Sequence, residues 1–144
     1  MKATELLKED HATVKELIQS LKSSKEKEDL LIKIEDEIQL HSHVEEQLFY
    51  PAMRQCDGEL VEHSIEEHRE VDQILSDLVG MTGNEKTFKK KLSELEKALY
   101  DHMEKEEGKL FPEAEEKIGN QLDQLGEQIE SLKKDLSACG RMAA

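Results

Sequence analysis

The chain has 144 residues, a formal net charge of −14, 38% charged and 3% aromatic residues, and only seven glycines and two prolines. That length suits one domain with a single core, and a composition rich in Glu, Lys and Leu without alternating β-branched runs points to long amphipathic helices. The charge excludes the basic patch that nucleic acid or an anionic membrane surface requires, and no apolar run approaches a membrane span or a signal-peptide core, so a soluble cytoplasmic protein is expected.

Apolar residues recur at steps of three and four through four segments. The first, near residues 2–22, carries Leu7, Val14, Ile18 and Leu21, and "KSSKEKED" (22–29) separates it from the next. The second, near 27–50, carries Ile34, Ile38 and Leu48, with "PAMRQCDGE" (51–59) expected as the following connection. The third, near 59–79, has Val61, Val71, Leu75 and Leu78 before the turn "GMTGNEK" (80–86). The fourth, near 85–111, has Phe88, Leu92, Leu95, Leu99 and Leu110, and Pro112 is expected to end or kink it. A further helix at roughly 119–137 is expected to pack across the outside. Short connections favour antiparallel neighbours, so the predicted fold is all-α. It is an up-down-up-down four-helix bundle over residues 1–112, with an additional C-terminal helix and tail over 113–144. Cys56 and Cys139 form no CxxC motif and are read as ordinary thiols.

Four histidines fall on these stripes. His11 follows Leu7 by four, His41 follows Ile38 by three, His68 precedes Val71 by three, and His102 follows Leu99 by three. Glu45 and Glu106 each come four residues after a stripe histidine. Residues three, four and seven apart share a helix face, so four histidines and two glutamates are predicted to point inward. Buried carboxylates are costly unless paired, protonated or metal-bound, and these stripes carry no Lys or Arg. Imidazole with carboxylate is a natural ligand set for iron, zinc or manganese.

The pattern is written twice. "HSHVEEQLFYP" (41–51) matches "HMEKEEGKLFP" (102–112), and "EDHATVKELI" (9–18) matches "EEHREVDQIL" (66–75). Two similar helical hairpins, each supplying His and then His-x-x-x-Glu, would make a pseudo-two-fold bundle holding two metals. Each metal takes two histidines, and the glutamates lie between them as bridges. His43 faces away from the site. Glu46 and Glu107 are expected beside the ligands or in solvent. His63 lies about 140° round the helix from His68, and its repeat partner is Leu6, so only a local distortion would bring it in.

These phrases resemble the hemerythrin-like (HHE) cation-binding domain, closely over residues 1–112 and loosely over the C-terminal helix. The resemblance implies a non-haem diiron centre of two iron ions. His11 and His41 would bind one iron, His68 and His102 the other, and Glu45 and Glu106 would bridge, with an oxo or hydroxo group between the metals. Oxygen-carrying hemerythrins place a second histidine four residues before the third-helix one, where this chain has Ser64. They also tend to have Asp five residues after the fourth-helix histidine, where this chain has Glu107. The second iron is thus one histidine short, which leaves a position for water, peroxide or another exchangeable donor.

The function expected is binding of dioxygen or a related small molecule, for sensing, storage or delivery. Ile38, Leu48, Leu99 and Leu110, with Phe49 or Phe111, would supply an apolar pocket. The alternatives are a diiron redox enzyme acting on peroxide or nitric oxide, an iron-handling protein, and a plain helical module with structural histidines. No second domain names a protein partner, and no Ser/His/Asp set or phosphate loop suggests other catalysis.

Overall fold

The computed structural model describes residues 1–138, and among them there is no strand. Helix α1 spans Ala3–Ser23 and α2 spans Lys27–Val44, continuing without a break through a wider π turn, Glu45–Phe49, into α3, Tyr50–Val79. Helix α4, Glu85–Lys105, likewise passes through a π turn, Glu106–Leu110, into α5, Phe111–Lys117. A 3-10 turn at Gly119–Gln121 leads to α6, Leu122–Ala138. The result is four long helical columns with a C-terminal helix laid against them. No helix among the described residues is long and apolar enough to cross a membrane.

Two expectations about the columns need correction. The connection expected over 51–59 is helical through Pro51 and is broken only by a kink at Asp57, with φ −158° and ψ 71°. Of the two outcomes expected at Pro112, an end to the fourth column is not found: the column runs on to Lys117. In both places the proline comes just after a π turn, within the first turn of the helix that follows. A proline ring clashes with the carbonyl four residues back in a regular helix. The π turn widens the backbone there, with Tyr50 N–H donating to Glu45 O and Phe111 N–H donating to Glu106 O. The extra residue also re-aims the stripe: Leu48 is only partly buried, while Phe49 and Tyr50 are fully buried.

The core falls into two apolar clusters. One, towards the 24–26 and 80–84 connections, includes Ile18, Leu21, Ile34, Leu75, Leu78, Phe88 and Leu95. The other gathers Ala3, Leu7, Phe49, Tyr50, Met53, Leu110 and Phe111 with Leu122, Leu125 and Ile129 of α6. Buried polar side chains lie between the two. Asn84 caps α4 by accepting from Thr87 N–H at 3.2 Å, which fixes the start of the fourth column. Cys56 is a free, half-buried thiol against the second cluster. Cys139 lies outside the described residues.

Helix α6 meets the N-terminus at a glycine. A Cβ built on Gly126 would stand 1.9 Å from the Met1 carbonyl oxygen and 3.2 Å from Ala3 N. Gly126→Ala is therefore expected to cost about 1–3 kcal/mol, the range for overpacking a well-fitted contact. Chemical denaturation of the two proteins would measure it, and an unchanged midpoint would contradict the close approach.

Candidate metal centre

The polar layer has one histidine from each column: His11 on α1, His41 on α2, His68 on α3 and His102 on α4, all buried. Glu45 and Glu106, 0% and 1% exposed, are the first residues of the two π turns. The six sequence-derived residues therefore come together in one layer. The four potential ligand atoms of His11, His41, Glu45 and Glu106 lie within 4.8 Å of one another, as do those of Glu45, His68 and His102, and each group could hold a metal ion. Glu45 belongs to both groups. His63, by contrast, is 61% exposed beside Glu66, and His43 is exposed as well.

Two halves of the layer are related as the sequence repeat is. The rings of His11 and His41 meet edge-on with centroids 4.9 Å apart, and those of His68 and His102 meet at the same distance and angle. Each glutamate reaches one histidine from each pair. Glu45 Oε1 lies 3.1 Å from both His41 Nε2 and His68 Nε2, and Glu106 Oε1 lies 3.1 Å from His11 Nε2 and 3.4 Å from His102 Nε2.

Every Nδ1 is anchored by a further carboxylate at 2.8 Å: His11 by Glu107, His41 by Asp10, His68 by Glu46 and His102 by Glu67. Such partners fix the ring orientation and leave Nε2 to face the centre, the usual arrangement around metal-bound imidazole. Glu46 and Glu107 thus stand beside the ligand set as their sequence position suggests. Asp10 and Glu67, each the residue before a stripe histidine, escaped sequence reading because each serves the histidine of a neighbouring helix.

Tyr50 is the other residue the sequence did not single out. Its hydroxyl donates to Glu106 Oε2 at 2.5 Å and lies 3.1 Å from Glu45 Oε1 and 3.2 Å from His68 Nε2. In the other half Phe111 takes its place and stacks on His11. A sequence signal existed: Tyr50 immediately precedes Pro51, as Phe111 precedes Pro112, and Tyr50 carries a hydroxyl where its repeat partner has none.

Charge sets the protonation of the layer. Burial pulls the His41 imidazole down, but the Glu45 and Asp10 carboxylates outweigh it and raise it to about 10. Burial likewise opposes, and Glu106 and Glu67 override, a rise of His102 to about 10. His68 is also raised, against burial, by Glu45 and Glu46. Burial pushes the Glu106 carboxyl up, yet the His102 charge and hydrogen bonds hold it well below the usual carboxylate range. Burial, with the charges of Glu45 and Glu106, pushes Tyr50 well above its ordinary value.

The residues present fit a metal. His41 Nε2, His102 Nε2 and Glu45 Oε2 have no hydrogen-bond partner although fully enclosed, and the close approach of His41 Nε2 to Glu45 is not aligned as a hydrogen bond. Ser64 Oγ, on the face of His68 and four residues before it, is buried and unpartnered as well. Buried polar groups are rarely left so, and a cation among these nitrogens and carboxylate oxygens would satisfy the orphaned ligand atoms.

Beside the histidines is a cavity of about 20 Å³, room for one water-sized molecule. It is lined by repeat-related pairs, Val14 with Val71 and Ile38 with Leu99, and by one unequal pair, Ser42 and Met103. Of the expected pocket residues only Ile38 and Leu99 line it. Leu48, Phe49, Leu110 and Phe111 pack into the opposite cluster, because they follow the glutamates along their columns, on the other side of the ligand layer.

No curated protein matches the chain. Residues 2–114 match the family described as the hemerythrin HHE cation binding domain. The fold is also similar to a crystal structure of a hemerythrin HHE cation binding domain-containing protein from Mycobacterium kansasii, a homolog of Rv2633c. That similarity has a TM-score of 0.81 and 27% identity, and covers 98% of this chain and 93% of that one. With four inward histidines, two shared glutamates and a family match over most of its length, the chain belongs to the hemerythrin HHE cation-binding family.

Proposed function

We propose that the centre holds two iron ions and that the protein binds dioxygen or a related small molecule for sensing, storage or delivery. His11 and His41 would hold one iron and His68 and His102 the other, with Glu45 and Glu106 between them. The observation that carries this reading is the orphaned set, His41 Nε2, His102 Nε2 and Glu45 Oε2, in a layer where every Nδ1 is already engaged. When bound, an iron pair supplies redox-active, exchangeable coordination positions. The chain supplies the rest. Val14, Ile38, Val71 and Leu99 make an apolar wall with room for one small molecule, and the four outer carboxylates keep the imidazoles aimed. Exposing the ferrous protein to dioxygen and then to vacuum tests the reading: spectral reversal supports it, and rapid irreversible oxidation contradicts it.

A second reading, a redox enzyme acting on peroxide or nitric oxide, is favoured by one feature. Beside His68 the apolar Leu7 and Phe111 of the other half are replaced by Ser64 and Tyr50. Tyr50 keeps its proton at Oη and is placed to deliver it at the centre. On that reading Tyr50→Phe, which copies the other half, keeps the metal content and lowers turnover of peroxide or nitric oxide by about 100-fold, the lower end for loss of a general acid. Steady-state consumption assays with iron analysis check this, and unchanged turnover removes Tyr50 from the chemistry.

A further inference from the structure

The outer carboxylates that anchor the second- and fourth-helix histidines are each paired with a lysine, but the lysines come from different places. Glu67, which anchors His102, receives Lys105 Nζ at 2.6 Å from α4 itself, one turn beyond His102. By the repeat that aligns His41 with His102, the position of Lys105 is occupied in the first half by Val44, which is fully buried. The second column therefore offers Asp10 no lysine at the position that Lys105 holds in the fourth. Lys133 of α6 fills the vacancy: its Nζ donates to both Asp10 oxygens, at 2.5 and 2.6 Å, while Asp10 Oδ2 accepts from His41 Nδ1 at 2.8 Å.

We propose that the C-terminal helix completes the metal centre, with Lys133 a positioning residue that acts through Asp10 to aim His41 at one of the two metals. This rests on the assignment of His41 as a ligand. Helix α6 is seated for the task. Leu122, Ile129 and Lys133 recur at helical spacing on the face turned to the bundle, and Gly126 lets that face approach the N-terminal backbone closely. A lysine bonded to both oxygens fixes the carboxylate plane, and the carboxylate in turn fixes the ring. Outer partners of this kind tune metal affinity without touching the metal. The two metals are then unequal by construction. At one, the lysine behind the fourth-helix histidine comes from that histidine's own column, through Lys105 and Glu67. The other depends on a helix that starts only after residue 121, beyond the stretch 2–114 that matches the family.

Anaerobic ferrous iron titration of the full chain, read by chelator competition, tests this in the wild type, Lys133→Ala, Lys133→Arg, Lys105→Ala and the double alanine variant. Lys133→Ala is expected to weaken one of two irons about tenfold, the lower end for loss of an outer partner, and to leave the other unchanged. Lys133→Arg, which keeps the charge, should retain the wild-type affinity. Lys105→Ala should weaken one iron to a similar extent, and the double variant should weaken both, which shows that the two lysines serve different metals. A wild type with two irons whose affinities survive Lys133→Ala would overturn the role of α6 while leaving the centre intact. Equal weakening of both irons by Lys133→Ala, or an arginine variant as weak as the alanine one, would overturn it as well. A wild type that takes up no stoichiometric iron would instead remove the centre and this inference with it.

Discussion

Glu45→Ala is expected to abolish stoichiometric metal binding, with Glu106→Ala somewhat less severe and His43→Ala without effect. Glu45 belongs to both candidate ligand groups, and its Oε1 lies equally close to a histidine of each pair. Glu106 belongs to only one group, and its second oxygen is taken by Tyr50. Loss of an outer partner costs metal affinity 10–100-fold, so loss of a shared direct ligand should exceed ~100-fold at each site. Stability should report the same loss. A site held at about 100 times its Kd adds roughly 2.7 kcal/mol, or roughly 5–10 °C in Tm for a chain of this size. Metal addition should therefore raise the Tm of the wild type and of His43→Ala, but not that of Glu45→Ala. Metal analysis after anaerobic loading and desalting, together with melts, makes the comparison. Equal content in all the variants would sink the bridging assignment.

The second large effect is on pH. His41 and His102 each hold a proton to about pH 10 in the metal-free protein, because the glutamates beside them outweigh burial. These raised values stabilise the metal-free fold fully below the ordinary histidine value near 6.5, and that stability is lost as pH rises towards about 10. Metal binding runs the other way, since ligation needs the neutral imidazole and must displace both protons. His41 and His102 serve different metals, so each metal's affinity should climb up to about tenfold per pH unit between roughly 6.5 and 8, one proton being released at each. A pH-stat record of ferrous iron addition should show about two protons leaving per chain. Metal uptake that releases none would mean that His41 and His102 are not ligands.

Much of this arrangement was legible in the sequence because helical periodicity converts spacing into direction. The stripes through Leu7, Val14 and Ile18, and through Val71, Leu75 and Leu78, placed His11 and His68 inward without any structure. The doubled His-x-x-x-Glu phrase did the same for the other four residues. What periodicity at 3.6 residues misses is a change of period. Each π turn starts on a site glutamate and inserts one residue, so Phe49 and Tyr50 take the interior position that a regular helix would give Leu48. The same widening lets Pro51 and Pro112 pass inside helical columns instead of ending them. Asp10, Glu67 and Lys133 were illegible for a different reason: each acts on a residue of another helix, and in a chain with 34 acidic and 20 basic residues nothing local marks which pair will meet. The doubled phrase nonetheless exposes asymmetry, since Tyr50 against Phe111 and Val44 against Lys105 show where the halves differ in chemistry.

The most direct test of the account is iron stoichiometry with an absorption spectrum, taken anaerobically in the ferrous form and again after oxygen is admitted. About two irons per chain, with near-ultraviolet bands appearing on exposure to oxygen, is the result expected of a paired iron site on these six residues. No stoichiometric metal under any loading condition would contradict it, and would reduce the four inward histidines and two glutamates to core architecture.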